Sequence, residues 1–292
     1  MIALRTRIQH QIRCYSNLTE HQKQLMAKSL PKKVKIPGVE DVVVVASGKG
    51  GVGKSTTAVN LAVTLAQKGK RVGLLDGDVF GPSIPLMLNI KEEPLVNDQN
   101  LMIPPVNFNV KCLSMGLITD ASQAIVWRGP LVMSALQRLL KGAVWGPLDI
   151  LIVDTPPGTG DVHLSLAQNT DISGVVLVST PQTAALEITA RGADMYRKFG
   201  VPIVGITENM RDAVCTNCNA KFQLFDSKTE EFAKKMGTTV LTSVPVDPKI
   251  AESCDEGKPM VAVNPDSEYS KSFGKLADLL VEFLEKKREE KN

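Results

Sequence analysis

Residues 48–56 read Gly-Lys-Gly-Gly-Val-Gly-Lys-Ser-Thr and follow the apolar run Val42–Ala46 after a single serine. They match the Gly-x4-Gly-Lys-Ser pattern of a phosphate-binding loop, whose glycines let backbone N–H groups surround a polyphosphate without Cβ interference. We expect Lys54 to reach the β- and γ-phosphates and Ser55 to offer its hydroxyl to Mg²⁺. The predicted nucleotide contacts are Gly48, Lys49, Gly50, Gly51, Val52, Gly53, Lys54, Ser55 and Thr56. The stretch therefore predicts a site for a nucleoside triphosphate.

Strand-like and helix-like segments alternate along the chain, which is typical of a parallel sheet with helices on both faces. The predicted strands are Val42–Ala46, Arg71–Leu75, Val110–Leu113, Ile150–Val153, Gly174–Val178, Ile203–Thr207 and Val240–Leu241. The predicted helices are Ser55–Gln67, Pro130–Leu140, Val162–Gln168, Ala184–Lys198, Thr229–Lys235 and Ser270–Glu289. We therefore expect an α/β protein with the three-layer P-loop NTPase fold and a mostly parallel central sheet. Residues 41–292 are predicted to form its single domain, with a Cys-x-x-Cys loop inserted.

Composition and charge argue against two classes of protein. No apolar run approaches the ~18 residues of a membrane-spanning helix. The net charge is +3, but Arg5, Arg7 and Arg13 account for it, since the rest of the chain has 31 basic and 31 acidic residues. The positive net charge is therefore no indication of nucleic-acid binding, which requires a basic face on the folded domain. We expect neither nucleic-acid binding nor stable membrane insertion.

The N-terminal segment is typical of a targeting sequence. Residues Met1–Tyr15 contain three arginines and no acid, and a helix would place Leu4, Ile8 and Ile12 on one face. The segment resembles a mitochondrial presequence, with a matrix-peptidase site that would be cut after Tyr15. We therefore expect location in the mitochondrial matrix, with residues 16–40 leading into the first strand. An ordinary disordered tail is the alternative.

Acidic residues follow two predicted strands, at the sheet edge where open α/β folds bind ligands. Asp154 begins Asp-Thr-Pro-Pro-Gly-Thr-Gly-Asp, and Asp76 and Asp78 follow the second strand. Each acid alone would be an ordinary cap or turn residue, but their joint position beside a phosphate loop favours function. We expect Asp154 to hold the Mg²⁺ shell through water. Gly158 would let its loop approach the γ-phosphate and move after hydrolysis.

The base-binding residues are expected after two later strands. Asn209 follows Ile203–Thr207, and Pro245 and Asp247 follow the last predicted strand. An amide side chain both donates and accepts hydrogen bonds, which suits the edge of adenine. The chain has no Asn-Lys-x-Asp guanine motif, so we expect ATP rather than GTP. A simple turn role for Asn209 is the alternative.

Cys215-Thr216-Asn217-Cys218 is the second chemical motif. A structural disulfide is not expected in a matrix-directed protein, so the pair indicates a metal clamp or a redox pair. A zinc or iron–sulfur site needs four such ligands, and the chain has no second Cys-x-x-Cys. A two-fold dimer would bring two copies of the loop to one axis and supply the missing ligands.

The loop with its additional lysine resembles the deviant Walker loop of the MinD/ParA/Mrp ATPases. In that group the extra lysine crosses a dimer interface and contacts the partner's nucleotide. The resemblance implies that Lys49 makes hydrolysis depend on dimerisation, whereas the alternative is a solvated loop lysine. It also implies that Asp78 orients the attacking water and that Asp76 helps to hold the metal region. The implied catalytic residues are Lys49, Lys54, Asp78 and Asp154, and the stretches around Asn209 and Pro245–Asp247 would form the adenine pocket.

Further motifs resemble the Mrp/NBP iron–sulfur carrier ATPases over roughly residues 40–285. They are Glu208–Met210 before the cysteine pair, 76–83, 127–130, 154–161 and 254–259. The resemblance implies a labile 4Fe–4S cluster, bridged between two subunits by Cys215 and Cys218 of each and delivered to apo-proteins. A presequence joined to the ATPase core resembles the mitochondrial, NUBPL-like branch, which serves complex I assembly. We expect slow, Mg²⁺-dependent hydrolysis of ATP that acts as a switch.

Two other functions remain open from the sequence. A zinc-stapled dimer whose ATPase drives a protein-binding switch would also use the cysteine pair. A positioning ATPase of the MinD/ParA kind, which binds membrane or DNA, is the other alternative, and it leaves that pair unexplained. Cys112 and Cys254 are interpreted as structural, and His163 as non-catalytic because no partner acid or nucleophile is evident.

Overall fold

The computed structural model of the protein describes residues 33–79, 81–118, 129–215, 217–218 and 220–290. The predicted presequence, most of the lead-in and the Trp127-Arg128 motif lie outside these residues. The helices are α1 Lys54–Gln67, α2 Ile84–Met87, α3 Gly129–Lys141, α4 Asp161–Asn169, α5 Thr183–Lys198, α6 Thr229–Lys235, α7 Pro248–Asp255, α8 Met260–Val263 and α9 Glu268–Glu289. The strands are β1 Val39–Ser47, β2 Val72–Asp76, β3 Leu95–Val96, β4 Met102–Ile103, β5 Val106–Asn107, β6 Val110–Ser114, β7 Leu148–Asp154, β8 Gly174–Ser179, β9 Ile203–Val214, β10 Lys221–Gln223 and β11 Val240–Val246.

A nine-stranded, mostly parallel sheet organises the fold. Its order is β10-β9-β8-β1-β7-β2-β6-β5, and β11 also pairs with β9. Only the pairings of β10 with β9 and of β5 with β6 are antiparallel in this sheet. The register places Asp76 opposite Asp154 at the carboxyl ends of β2 and β7. The sheet therefore brings together the two acidic motifs that lie far apart in the sequence.

Two apolar cores flank the sheet because β1 presents valines to both faces. Val43 and Val45 pack into one core with residues of α1 and α9, such as Leu61 and Phe273. Val42 and Val44 pack into the other core with residues of α3, α4 and α5, such as Leu136, Leu166 and Tyr196. Successive side chains of a strand point to opposite faces of the sheet, so a strand buried on both faces contributes alternate valines to the two cores. The three-layer α/β prediction is confirmed.

The largest difference from the predicted elements concerns β9. The predicted strand Ile203–Thr207 continues to Val214, and a hairpin then returns through β10. Asn209 therefore lies within a strand, so its interpretation as a turn residue is wrong. β11 likewise continues to Val246. β1 begins at Val39, inside the expected lead-in, because Val39 pairs with Leu148 of β7.

The described part of the chain contains no helix that is both long and apolar enough to cross a bilayer.

Candidate nucleotide and cysteine site

The phosphate loop needs its glycines for different reasons. Gly51 and Gly53 have φ angles of 77° and 83°, in the left-handed region that favours glycine. A Cβ on Gly53 would also collide with the Asn209 side chain. Gly48 instead allows close packing, because its Cβ would lie 2.6 Å from the backbone nitrogen of Thr189 in α5. The motif thus fixes both the loop conformation and its contact with the neighbouring helix.

A buried ion pair lies at the start of α1. The Lys54 ammonium is 2.7 and 2.8 Å from the two carboxylate oxygens of Asp154, and the Ser55 hydroxyl donates to Asp154 over 2.6 Å. Asp154 is 0% exposed. Burial raises the pKa of its carboxyl, while the Lys54 charge and the hydrogen bonds from Lys54 and Ser55 oppose the rise. Lys54 therefore neutralises the carboxylate that was predicted to serve the metal.

Asp76 and Asp78 occupy different environments. Asp76 is 1% exposed and accepts hydrogen bonds from the Ser114 hydroxyl and from the backbone N–H groups of Asp78 and Ile84. Burial, reinforced by the charge of Asp154, raises the pKa of Asp76 to about 7. Asp76 thus organises the loop after β2 from behind the cavity. Asp78 is partly exposed and lines the cavity of the phosphate loop.

Two adjoining cavities form the candidate nucleotide site. The first has a volume of about 340 Å³ and is lined by the phosphate loop, Asp78 and Pro157. The second, of about 410 Å³, is more enclosed and will be called the base cavity. The residues that line both are Gly53, Thr56, Cys254 and Asp255. Lys49 lines the first cavity, and its ammonium contacts no acidic side chain among the described residues.

The three predicted base-binding residues all line the base cavity, but the amide of Asn209 and one carboxylate oxygen of Asp247 already have partners in the protein. Asn209 Nδ2 donates to the carbonyl of Val52 over 2.9 Å, and Asn209 Oδ1 accepts from the N–H of Met210. Asp247 caps α7 by accepting from the N–H of Lys249. Pro245 lies in β11. Asn209 therefore fastens the phosphate loop to β9.

The loop after β7 is held by His163 and by a glycine contact. His163 Nε2 is 2.8 Å from the carbonyl of Pro156, and Nδ1 is 2.7 Å from the Tyr196 hydroxyl in α5. A carbonyl only accepts, so Nε2 carries the proton and Nδ1 accepts from tyrosine. Burial lowers the pKa of His163 to about 4. Gly158, with φ 96°, donates to the carbonyl of Ser47.

The cysteine pair lies at the tip of the β9–β10 hairpin. The N–H of Cys215 donates to the carbonyl of Ala220, and both thiols are free. Hydrogen bonds from the backbone N–H groups of Cys218 and Asn217 and from the Cys218 side chain lower the pKa of Cys215. Because thiolates are the metal-binding form of cysteine, this turn favours metal ligation. In the described part of the chain, no three His, Cys, Asp or Glu side chains are grouped to hold a metal ion.

Strand β9 connects the two halves of the site. Glu208 precedes Asn209, is buried, and accepts hydrogen bonds from the hydroxyls of Ser227 and Thr229. Its other carboxylate oxygen lies 3.6 Å from the Arg211 guanidinium. Met210 has a φ of 63°, and the β11 register shifts beside it. The strand that contacts the phosphate loop thus continues, after an irregular segment, to the cysteines.

Three residues of the site were not identified from the sequence. Cys254, interpreted as structural, lines both cavities; burial raises the pKa of its thiol, and the Thr56 side chain opposes the rise. Its place in the quoted 254–259 motif was an available signal. Glu208 is adjacent to Asn209 in the sequence, which was a weaker signal. Tyr269 also lines the base cavity, and no local pattern marks it.

Comparisons with known proteins agree on one family. The family model described as ParA, NUBPL iron-transfer P-loop NTPase, matches residues 38–281. The Arabidopsis thaliana mitochondrial iron-sulfur protein required for NADH dehydrogenase is 49% identical over 259 residues, covering 88% of this chain and 83% of the plant protein. The mouse iron-sulfur cluster transfer protein NUBPL is 47% identical over 270 residues, covering 91% and 85%.

A solved structure extends the comparison to a bound nucleotide. The nucleotide-binding protein of Archaeoglobus fulgidus in complex with ADP superposes with a TM-score of 0.68 at 31% sequence identity. The match covers 82% of this chain and 93% of the archaeal chain. The fold that positions the phosphate loop here is therefore also the fold of a protein crystallised with ADP.

Proposed function

The chain belongs to the family of NUBPL iron-transfer P-loop NTPases, and we propose that it is an ATP-dependent carrier of a 4Fe–4S cluster. Two copies would hold the cluster between them and deliver it to mitochondrial apo-proteins, complex I subunits among them. One observation carries the proposal: β9 joins the phosphate loop, through Asn209, to a pair of free cysteines. The names of the plant and mouse relatives support the cargo and the complex I clients.

The nucleotide half of the site suits ATP with Mg²⁺. When phosphates enter, Lys54 would leave Asp154 for the β- and γ-phosphates. The Ser55 hydroxyl would then ligate Mg²⁺ directly, and Asp154 would hold it through water; hard oxygen ligands of this kind fit the ion. Bound Mg²⁺ would neutralise charge on the phosphate oxygens. Asp78, partly exposed at this cavity, would orient the attacking water in a slow hydrolysis.

Lys49 supports a role for a second subunit. Its ammonium borders the phosphate cavity without an acidic partner among the described residues. Lys54 pairs with Asp154 of its own chain and is expected to reach the phosphates of its own site. Lys49 would therefore contact the nucleotide of the partner subunit, so that hydrolysis follows dimerisation. Such an in-trans cation stabilises the charge of the phosphoryl-transfer transition state.

The cysteine half of the site supplies part of a ligand shell. Cys215 and Cys218 provide two thiols, and the described residues offer no grouped third ligand. A second copy of the hairpin, related by a two-fold axis, would complete four thiolates around the cluster. The hydrogen bonds that lower the pKa of Cys215 favour its thiolate form, which is the form that binds metal.

Zinc is the alternative ligand for the same thiols, because four thiolates also suit a tetrahedral zinc site. A zinc-stapled dimer would act as an ATP-dependent protein switch rather than as a carrier. Anaerobic purification with measurement of iron, sulfide and zinc, absorbance spectra and oligomer mass separates the two functions. We expect a coloured dimer that contains iron and sulfide. A colourless protein with stoichiometric zinc would contradict the carrier function.

Variants test the ligands separately from the nucleotide site. Cys215→Ser and Cys218→Ser are expected to lose bound iron while they retain ATP affinity. Cys112→Ala is the matched control, since Cys112 is buried in β6 away from the hairpin, and it should retain iron. Wild-type iron content in both hairpin variants would refute the ligand assignment. A holoprotein that remains monomeric at full iron occupancy would refute the shared site.

A further inference from the structure

The base cavity contains one tyrosine whose hydroxyl has no hydrogen-bond partner among the described residues. Tyr269 is 3% exposed and lines this cavity. Its ring packs against Phe273, with centroids 4.9 Å apart. A buried tyrosine hydroxyl normally bonds to a partner.

The other polar side chains that were expected to bind the base are already engaged. Asn209 bonds to Val52 and Met210, and Asp247 caps α7. Thr57 donates to the carbonyl of Gly53. The Tyr269 hydroxyl is therefore a buried group of this cavity that has no partner among the described residues, whereas the carboxylate of Asp255, which also lines the cavity, is exposed to water. Leaving the hydroxyl unpaired upon ligand burial costs free energy.

The backbone around Tyr269 holds it in place before any ligand binds. Tyr269 is the second residue of α9, and the Ser267 hydroxyl caps that helix by accepting from the N–H of Ser270. Phe273 lies one helical turn later and packs against the ring. A side chain positioned in this way loses little conformational freedom on binding, which favours affinity and specificity.

We propose that Tyr269 is a specificity-determining residue of the nucleotide site, whose hydroxyl donates a hydrogen bond to a ring nitrogen of the base. The proposal rests on the nucleotide site of the proposed function. It adds a contact from the C-terminal helix to a site built otherwise from the phosphate loop, β9 and β11. The aromatic ring and the apolar lining of the cavity suit the faces of a purine, and the hydroxyl suits its edge.

Tyr269→Phe tests the proposal because it removes one oxygen and keeps the ring. We expect the affinity for ATP and for 2′-deoxy-ATP, measured by calorimetry with Mg²⁺, to fall equally, by about 3- to 10-fold. The affinity for inorganic tripolyphosphate, which has no base, should not change. Ser272→Ala is the matched control, since it removes a hydroxyl of the same helix that bonds to the carbonyls of Ser243 and Glu268.

The outcomes separate this inference from the proposed function. Unchanged ATP affinity in Tyr269→Phe would overturn the inference, and so would an equal loss for tripolyphosphate, which indicates a structural defect. A loss with ATP but not with 2′-deoxy-ATP would place the contact on the ribose and overturn the base assignment. Failure of the wild-type chain to bind either ATP or tripolyphosphate would instead refute the nucleotide site itself.

Discussion

At the residue scale, the Lys54–Asp154 pair links stability to nucleotide binding. Lys54→Met leaves a carboxylate that is 0% exposed without its cation, so we expect the nucleotide-free protein to lose about 3 kcal/mol of unfolding free energy. Adding Asp154→Asn should restore most of the loss, as measured by urea unfolding at pH 7. A double variant as unstable as Lys54→Met would contradict this account.

The exposed pair Lys68–Asp278 provides the matched comparison for that experiment. Its nitrogen–oxygen distance is the same 2.7 Å, but the side chains of Lys68 and Asp278 are 38% and 67% exposed to water. Lys68→Met should therefore change the unfolding free energy by less than about 1 kcal/mol. The contrast tests burial rather than distance as the source of the effect.

His163 predicts a pH dependence whose sign follows from its buried, neutral state. Its pKa is about 4 in the folded protein and about 6.5 when unfolded. As the pH falls from 6.5 to 4, His163 binds a proton in the unfolded chain but not in the folded protein. The free energy of unfolding therefore decreases by on the order of 3 kcal/mol. His163→Gln should lack this loss. If the unfolding free energies of the wild type and of His163→Gln differ by a constant amount between pH 7 and pH 4, this pH dependence is excluded.

At the element scale, β9 is expected to transmit the nucleotide state to the cysteines. Asn209 contacts the phosphate loop, and the same strand ends next to Cys215. We expect ADP with Mg²⁺ to slow alkylation of Cys215 by about 5-fold, because nucleotide binding orders this strand. ADP is chosen because it lacks the γ-phosphate.

Asn209→Ala should abolish that slowing. Mass spectrometry would measure the rate of alkylation. Asn169→Ala is the matched control, because the described hydrogen bonds of the Asn169 side chain go only to Ser165 in α4. If ADP still protects Cys215 equally in Asn209→Ala at saturating nucleotide, β9 does not carry the coupling through Asn209.

At the scale of the whole molecule, the proposed role of Lys49 predicts complementation between two inactive variants. Lys49→Ala and Asp78→Asn should each lack hydrolysis. In a mixed dimer, the site of the Lys49→Ala subunit has its own Asp78 and receives Lys49 from its partner. An equal mixture should therefore recover about a quarter of wild-type ATPase activity if subunits exchange freely. If mass measurement shows mixed dimers but the ATPase activity does not recover, Lys49 acts in the site of its own subunit.

Much of the fold could be predicted because its information is local. The apolar runs of β1 and β7, the phosphate loop between β1 and α1, and the acid at the end of β7 are all continuous in sequence. Six predicted helices have observed counterparts that differ by at most two residues at an end. Each of these features depends on a short-range preference. A continuous apolar run is typical of a strand that is buried on both faces, and loop glycines adopt left-handed backbone angles.

The length of β9 was not predictable in the same way. Residues 208–214 are polar or mixed, and they form a strand because β10 and β11 pair with them. Strand propensity depends on such neighbours. The same pairing places Cys215 at a hairpin tip.

The amino-acid sequence alone thus determined the layered α/β fold, the phosphate loop and the presence of a thiol pair, because those features depend on neighbours in sequence. Tertiary structure alone decided that Lys54 neutralises Asp154, that Asn209 holds Val52, and that Tyr269 reaches the base cavity. These contacts join residues separated by many positions. Their geometry exists only after the sheet and its covering helices have packed.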